Sequence, residues 1–194
     1  MFNRRSKFAL QTDRLVLRLP RGADYAAWAE MRQSGVEFLA PWEPVRNVDY
    51  PSRRAFQNRA YWAAKSAKAG TAYPFLLTCQ SDGKVIGGLT LDNVRRGPSK
   101  AGSVGYWIGP DFARMGYMAE ALEAVTHYAF TTLDLSRIEA ACLPENKPSR
   151  ALLEKSGFKY EGVAQSYLQI AGRWRTHVLY ASLRGDRRGK TNAG

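Results

Sequence analysis

The chain has 194 residues, 45% of them hydrophobic and 12% aromatic, with a formal net charge of +12. That length and apolar content suit one ordinary domain with a real core and exclude a disordered polyelectrolyte; no apolar run approaches the roughly 20 residues of a membrane span. The charge favours a polyanionic neighbour or ligand (nucleic acid, a ribosome, a phosphorylated cofactor), with a solvated basic surface as the plainer alternative, and no helix-turn-helix, zinc or RNP-type pattern marks a dedicated nucleic-acid module.

In chain order, Thr12 to Pro20 alternates apolar and charged residues, with Leu15, Leu17 and Leu19 on one face, which predicts a half-buried strand ended by proline. Asp24 to Gln33 reads as a helix with Trp28 and Met31 on its apolar side, stopped by Gly35. In Phe38 to Arg46, Pro41 and Pro44 bracket Trp42 and Glu43, and each proline restricts the residue before it to an extended shape. The expectation is a stiff loop carrying an aromatic and a carboxylate. Trp42 is then either a cleft wall or a plug at the core edge, and Glu43 either a base or a solvated rim charge. Pro51 to Lys68 is a long helix, with Phe56, Ala60, Ala63 and Ala67 inward and a basic outer surface that includes Arg53, Arg54 and Arg59.

Ala72 to Cys79 and Lys84 to Asn93 are strands joined by an Asp82-Gly83 hairpin. Val104 to Ile108 is a short buried strand, which Gly109-Pro110-Asp111 cannot continue. From Tyr117 the period becomes helical: Met118, Leu122, Val125 and Ala129 recur, widened by Ala121 and Tyr128. Between strand and helix lies Phe-Ala-Arg-Met-Gly-Tyr-Met. A helix start offers unpartnered N–H groups and a positive dipole end, Gly116 permits close backbone approach, and Arg114 adds a cation. Such a loop suits a pyrophosphate, although a single glycine at a strand-to-helix turn is common in αβ proteins.

Arg137 to Leu143 is a further strand, followed by a helix with Asn146 as N-cap, Pro148 in its first turn and Gly157 at its stop. Phe158 to Ala164 and Trp174 to Leu183 are the last strands, turned at Gly172. His177, alone in a strand, is expected to be packed and hydrogen-bonded. Residues 184–194 are basic and unpatterned, so a domain over 1–183 with an unordered tail is expected. Cys79 and Cys142 lack metal-ligand or CxxC spacing, which points to free thiols, no metal and a cytoplasmic protein.

The order strand, helix, helix, three strands, helix, strand, helix, two strands resembles the GNAT fold of acetyl-CoA-dependent N-acetyltransferases. Thr12-Asp13-Arg14-Leu15-Val16-Leu17-Arg18, the Pro41-Trp42-Glu43-Pro44 segment, Asn146-x-x-Ser149 with Gly157-Phe158-x-x-Glu161-Gly162, and Trp174-Arg175-x-His177 are similar to the RimJ branch, the ribosomal-protein-alanine N-acetyltransferases. The pyrophosphate loop departs from the family's Q/R-x-x-G-x-G/A, with Ala113 at its first position and Met118 at its last.

The resemblance implies a mixed α/β fold: a mostly antiparallel seven-stranded sheet, splayed between strands 4 and 5 and flanked by about four helices. It places acetyl-CoA in the splay, with Trp107, Ile108 and Gly109 along the pantetheine and thioester, and Ala113, Arg114, Met115, Gly116, Tyr117, Met118 and Ala119 on the pyrophosphate. Ser149 is the expected proton donor, with Asn146 positioning pantetheine or a water and both residues against the cofactor, although an N-cap and a first-turn serine would look the same. Glu43 is the first choice of base and Glu120 the second, with Trp42 and Tyr167 on the acceptor side and Tyr167 also a reserve proton donor. The implied acceptor is the N-terminal amine of a ribosomal protein, with ribosome or rRNA contact through the basic surface and tail. A small-molecule amine (aminoglycoside, polyamine or aminoacyl nucleotide) and a ribosome-associated factor with little catalysis are the alternatives.

Overall fold

A computed structural model describes residues 8–185. Among these, one eight-stranded sheet runs in the order β1-β2-β3-β4-β5-β6-β8-β7. Its strands are β1 (Leu10–Gln11), β2 (Leu15–Arg18), β3 (Tyr73–Cys79), β4 (Val85–Arg95), β5 (Ala101–Ile108), β6 (Arg137–Cys142), β7 (Lys159–Ile170) and β8 (Arg173–Leu183). Every described pairing is antiparallel except β5 with β6. The expected count of seven is therefore one short. The extra strand is β1, whose two residues pair with Val16 and Leu17; so short a segment carries no alternation to read.

Five α-helices flank the sheet among the described residues: α1 (Tyr25–Ser34), α2 (Val36–Leu39), α3 (Arg53–Ala69), α4 (Tyr117–Thr131) and α5 (Lys147–Lys155). Helix α4 buries Met118, Ala121, Leu122, Val125 and Ala129 against β2, β3 and β4, as the helical stripe required. Fully burying a side chain such as Leu122 stabilises the fold by roughly 2 kcal/mol. Helices α1 and α3 cover the opposite face, where Trp28 and Phe56 pack with Leu76 and Val85.

Gly35 is the C-cap of α1, as its position predicts, but its φ is −95° and the chain re-enters helix at once as α2. What needs glycine there is space: an added Cβ would lie 3.1 Å from Pro110 Cδ. The Trp42 loop also differs from expectation. Ala40, although it precedes Pro41, is helical (φ −53°, ψ −37°), because Pro41 sits in the first turn of a 3₁₀ segment where its missing N–H costs nothing. Glu43, before Pro44, is extended as expected.

Arg184, expected in the tail, belongs to the body: it donates to the Phe130 carbonyl at 3.2 Å and to Asp134 at 2.6 Å. Residues 186–194 of the expected tail, with Arg187, Arg188 and Lys190, lie outside the described residues.

Candidate active site

The site begins where two strands part. β5 and β6 pair in parallel only from Ala101–Arg137 to Val104–Ala140. Beyond that point β5 stays with β4 to Ile108, and β6 stays with β8 to Cys142, so a gap opens between them. By strand count this is the fifth and sixth strands, one later than expected because of β1.

Strand alternation decides which peptide groups face the gap. Gly109 N–H donates to the Ile86 carbonyl on β4 at 2.9 Å, and the Trp107 carbonyl crowds Gly87 on the same strand. With a period of two, the Tyr106 and Ile108 peptide groups point the other way, into the gap. The Ile108 peptide group thus faces the gap. Those of Trp107 and Gly109 face β4 instead, and the Gly109 carbonyl also accepts from Phe112 N–H at 3.0 Å. The Trp107 side chain instead packs with the cluster under α1 and α3, on the opposite face from Tyr106.

The loop from Ala113 to Gly116 follows a 3₁₀ turn and leads into α4. Arg114 (φ 63°) and Gly116 (φ 83°), the N-cap of α4, are both left-handed, a backbone conformation that recurs in anion-binding turns at helix starts. Arg114, Met115 and Gly116 are exposed. The loop is braced from below by Arg14, which donates to the Met115 carbonyl at 3.0 Å and lies 4.4 Å from the Tyr117 ring centroid. Arg14 is anchored in turn by Glu120, through its Nε at 2.7 Å and its backbone N–H at 2.8 Å. Glu120 also accepts from Thr12 Oγ1. Burial works against its charge, but these hydrogen bonds prevail and hold the Glu120 carboxyl below its ordinary value. A carboxylate so engaged clamps the turn before β2 to α4. The residues around the gap and loop fit a pyrophosphate-bearing thioester: free peptide groups along one strand edge, a glycine at the point of approach, and an exposed cation at a helix start.

On the α4–α5 face of the gap, Ser149 Oγ lies 2.8 Å from Tyr106 Oη. Burial raises the pKa of the nearby Cys142 thiol, with Ser149 opposing the rise. Its backbone N–H donates to Asn146 Oδ1 at 3.1 Å, so Asn146 is the N-cap of α5. Burial pushes the Tyr106 phenol well above its usual range, leaving a protonated donor at neutral pH. Tyr106 was not expected here; its signal was the strand alternation, legible only once the gap edge is known.

Glu43 lies on the other face. Arg32 Nη1 donates to Glu43 Oε1 at 2.9 Å, and Nη2 donates to Oε2. Both side chains are nearly buried, with 10% and 14% of their surface exposed, and Arg46 stands 3.6 Å from the same carboxylate. The Arg32 guanidinium also lies 4.9 Å from the Trp107 ring centroid. The tip of the β7–β8 hairpin closes on this loop: Ala171 N–H donates to the Glu43 carbonyl at 2.9 Å. Trp42 is half-buried beside it. Tyr167 is exposed on the hairpin, 5.6 Å from the ring of His177, which is buried and bonded through Nδ1 to the Arg175 carbonyl at 3.0 Å.

Residues 14–159 match the acetyltransferase (GNAT) domain family. The chain is 40% identical over 184 residues, 93% of its length and 95% of the relative's, to the [ribosomal protein uS5]-alanine N-acetyltransferase of Escherichia coli. It superposes on the ribosomal-protein-S5-alanine acetyltransferase of Vibrio fischeri with a TM-score of 0.86 at 29% identity, covering 93% of this chain and 99% of that one. The RimJ of Mycobacterium smegmatis, solved in complex with CoA-disulfide, gives a TM-score of 0.84 at 33% identity, covering 90% and 84%. The parted strands, the helix-start loop and these matches together show that the chain belongs to the GNAT family as an acetyl-CoA-dependent N-acetyltransferase.

Proposed function

We propose that this protein acetylates the N-terminal α-amine of a ribosomal protein, with alanine as the residue modified. The observation that carries this reading is the 40% identity, over 93% of the chain, to an enzyme named for uS5-alanine. Acetyl-CoA supplies the acyl group as an activated thioester and leaves as a thiolate. Ala113 to Ala119 hold the pyrophosphate through helix-start N–H groups. The Tyr106 and Ile108 peptide groups, aimed into the gap, align and polarise the thioester carbonyl. Ser149, backed by the neutral Tyr106 phenol, delivers the proton to the thiolate, and Asn146 fixes Ser149 by capping α5.

On the other face the amine enters beside Glu43, whose carboxylate Arg32 and Arg46 already hold, so that Glu43 assists only as a weak base. A carboxylate is a weak base, and an α-amine asks for little more: roughly one molecule in ten is already neutral at pH 7. Trp42 and Tyr167 form walls of the acceptor channel. The exposed basic side chains of α3 outside the cavity described below, among them Arg53 and Lys65, steer the protein toward RNA-rich particles in the cytoplasm. Labelled acetyl-CoA and unacetylated ribosomal proteins, followed by mapping of the modified residue, test this. Label on one N-terminal alanine supports the reading; label confined to lysines or to small amines removes it.

A further inference from the structure

Beside the Glu43 loop, between residues 45–50 and the first turns of α3, lies a cavity of about 560 Å³. Arg46, Arg54, Arg59, Asn47, Asn58 and Tyr50 line it, with Asp49 as its one acidic member. Hydrogen-bond donors and guanidinium forks therefore dominate the wall. Of the three arginines, only Arg46 has an ion-pair partner among the described residues, and that carboxylate, Glu43, is already held by Arg32. Arg59 donates to the Tyr50 carbonyl at 2.8 Å and lies over the Trp28 and Tyr50 rings at 4.5 and 4.3 Å. Burial, reinforced by the Arg46 and Arg32 charges and opposed by Tyr50 and Asp49, lowers its pKa below the arginine norm. An incoming anion would relieve this crowding of positive charge.

The cavity adjoins the acceptor side of the active site. Trp107 and Tyr50 flank one guanidinium, that of Arg32, at 4.9 and 5.7 Å from its central carbon. A polypeptide whose amine reaches the gap beside Trp107 leads its following residues past this wall, at roughly 3.3 Å per residue. We propose that the cavity is an acceptor subsite that takes the side-chain carboxylate of an aspartate or glutamate within roughly the first six residues of the acceptor. This rests on the reading of a polypeptide acceptor given above. Guanidinium forks match a carboxylate in two-point geometry. Single-stranded nucleic acid asks for something else, a bare aromatic face on which a base can stack. The Tyr50 ring is already flanked by Arg46 at 4.8 Å, Arg59 at 4.3 Å and the Trp28 ring at 5.4 Å.

The test uses alanine-initiated peptides carrying glutamate at one of positions two to six, paired with glutamine peptides otherwise identical. The wild type should turn over the best-placed glutamate peptide roughly tenfold faster in kcat/KM than its partner, the scale of one charged hydrogen-bonded contact. Arg54→Gln and Arg59→Lys should shrink that ratio toward one while leaving the glutamine peptides unchanged. Because Arg59 packs on Trp28, Arg54→Gln, on the exposed rim, is the variant least exposed to a folding artefact. Equal rates for every pair in the wild type overturn the proposal. So does a short RNA whose binding is lost in Arg54→Gln while the glutamate preference survives. If no peptide and no ribosomal protein is acetylated, the acceptor reading itself falls. Calorimetric titration of the paired peptides into the protein with CoA then still decides the subsite, by tighter binding of the glutamate peptide or by none.

Discussion

Tyr106 Oη and Ser149 Oγ stand 2.8 Å apart, joining the strand edge of the β5–β6 gap to the first turn of α5. The buried phenol stays protonated, so its hydroxyl can donate to Ser149 and free the serine proton for the departing thiolate. Removing that proton source should act on turnover and not on donor affinity. Ser149→Ala is expected to lower kcat by about 100-fold, the low end of general-acid effects, with KM for acetyl-CoA changed less than about threefold. Tyr106→Phe should give a smaller loss in the same direction. Steady-state kinetics with a peptide acceptor checks both, and an unchanged kcat in Ser149→Ala would remove the serine from the proton path.

Gly116 should be the least replaceable residue of the phosphate loop. Its φ of 83° costs any other residue about 1 kcal/mol or more, and an added Cβ would meet Arg14 Nη2 at 3.3 Å. Gly116→Ala should weaken acetyl-CoA by about tenfold, whereas Gly116→Glu, which adds a charge against the phosphates, should abolish detectable binding. Isothermal titration on folded variants measures this. Unaltered affinity in Gly116→Glu would move the phosphates elsewhere.

Glu43 and Arg32 form a nearly buried pair, so removing one partner leaves an uncompensated charge. Arg32→Met should cost about 3 kcal/mol of stability, and the double change Arg32→Met with Glu43→Met distinctly less than the sum of the single changes. Urea unfolding of the four proteins gives the coupling. The same residue can be tested as a base: if Glu43 accepts the amine proton, the rate deficit of Glu43→Gln shrinks as pH rises and free amine accumulates. A deficit constant from pH 6 to 9 would leave Glu43 with a structural role alone.

Glu120 supplies the acid limit. Its folded pKa is held below the ordinary glutamate value of 4.5 by Thr12 and Arg14, so near that pH the unfolded chain binds more protons than the folded one. The stability it contributes is full above that value and is lost as pH falls through the lower folded pKa. Glu120→Gln should therefore flatten the stability profile below pH 4.5 as well as loosen the Arg14 brace under Met115. Unfolding curves from pH 3 to 6 show it, and parallel profiles for variant and wild type would refute the linkage.

Local pattern made the scaffold legible. The stripe of Met118, Leu122, Val125 and Ala129 is buried as its spacing demands, and Gly116 stands at the start of the helix that the change of period marked. Asn146 caps α5, and Ala171-Gly172 turns the last hairpin where glycine marked it. Each of these follows from neighbours within four residues, the range over which backbone geometry and periodicity act. The working surfaces do not. Which of Tyr106 and Trp107 faces α5 follows from the pairing of β5 with β4, and the gap exists because the β5–β6 pairing ends at Val104 and Ala140. Strand pairing joins residues far apart in the chain, and a one-residue change of register would exchange the two side chains between faces. Glu43 met Arg32, and Glu120 met Thr12 and Arg14, for the same reason: a charge finds its partner by position in space, and the sequence holds only the charges.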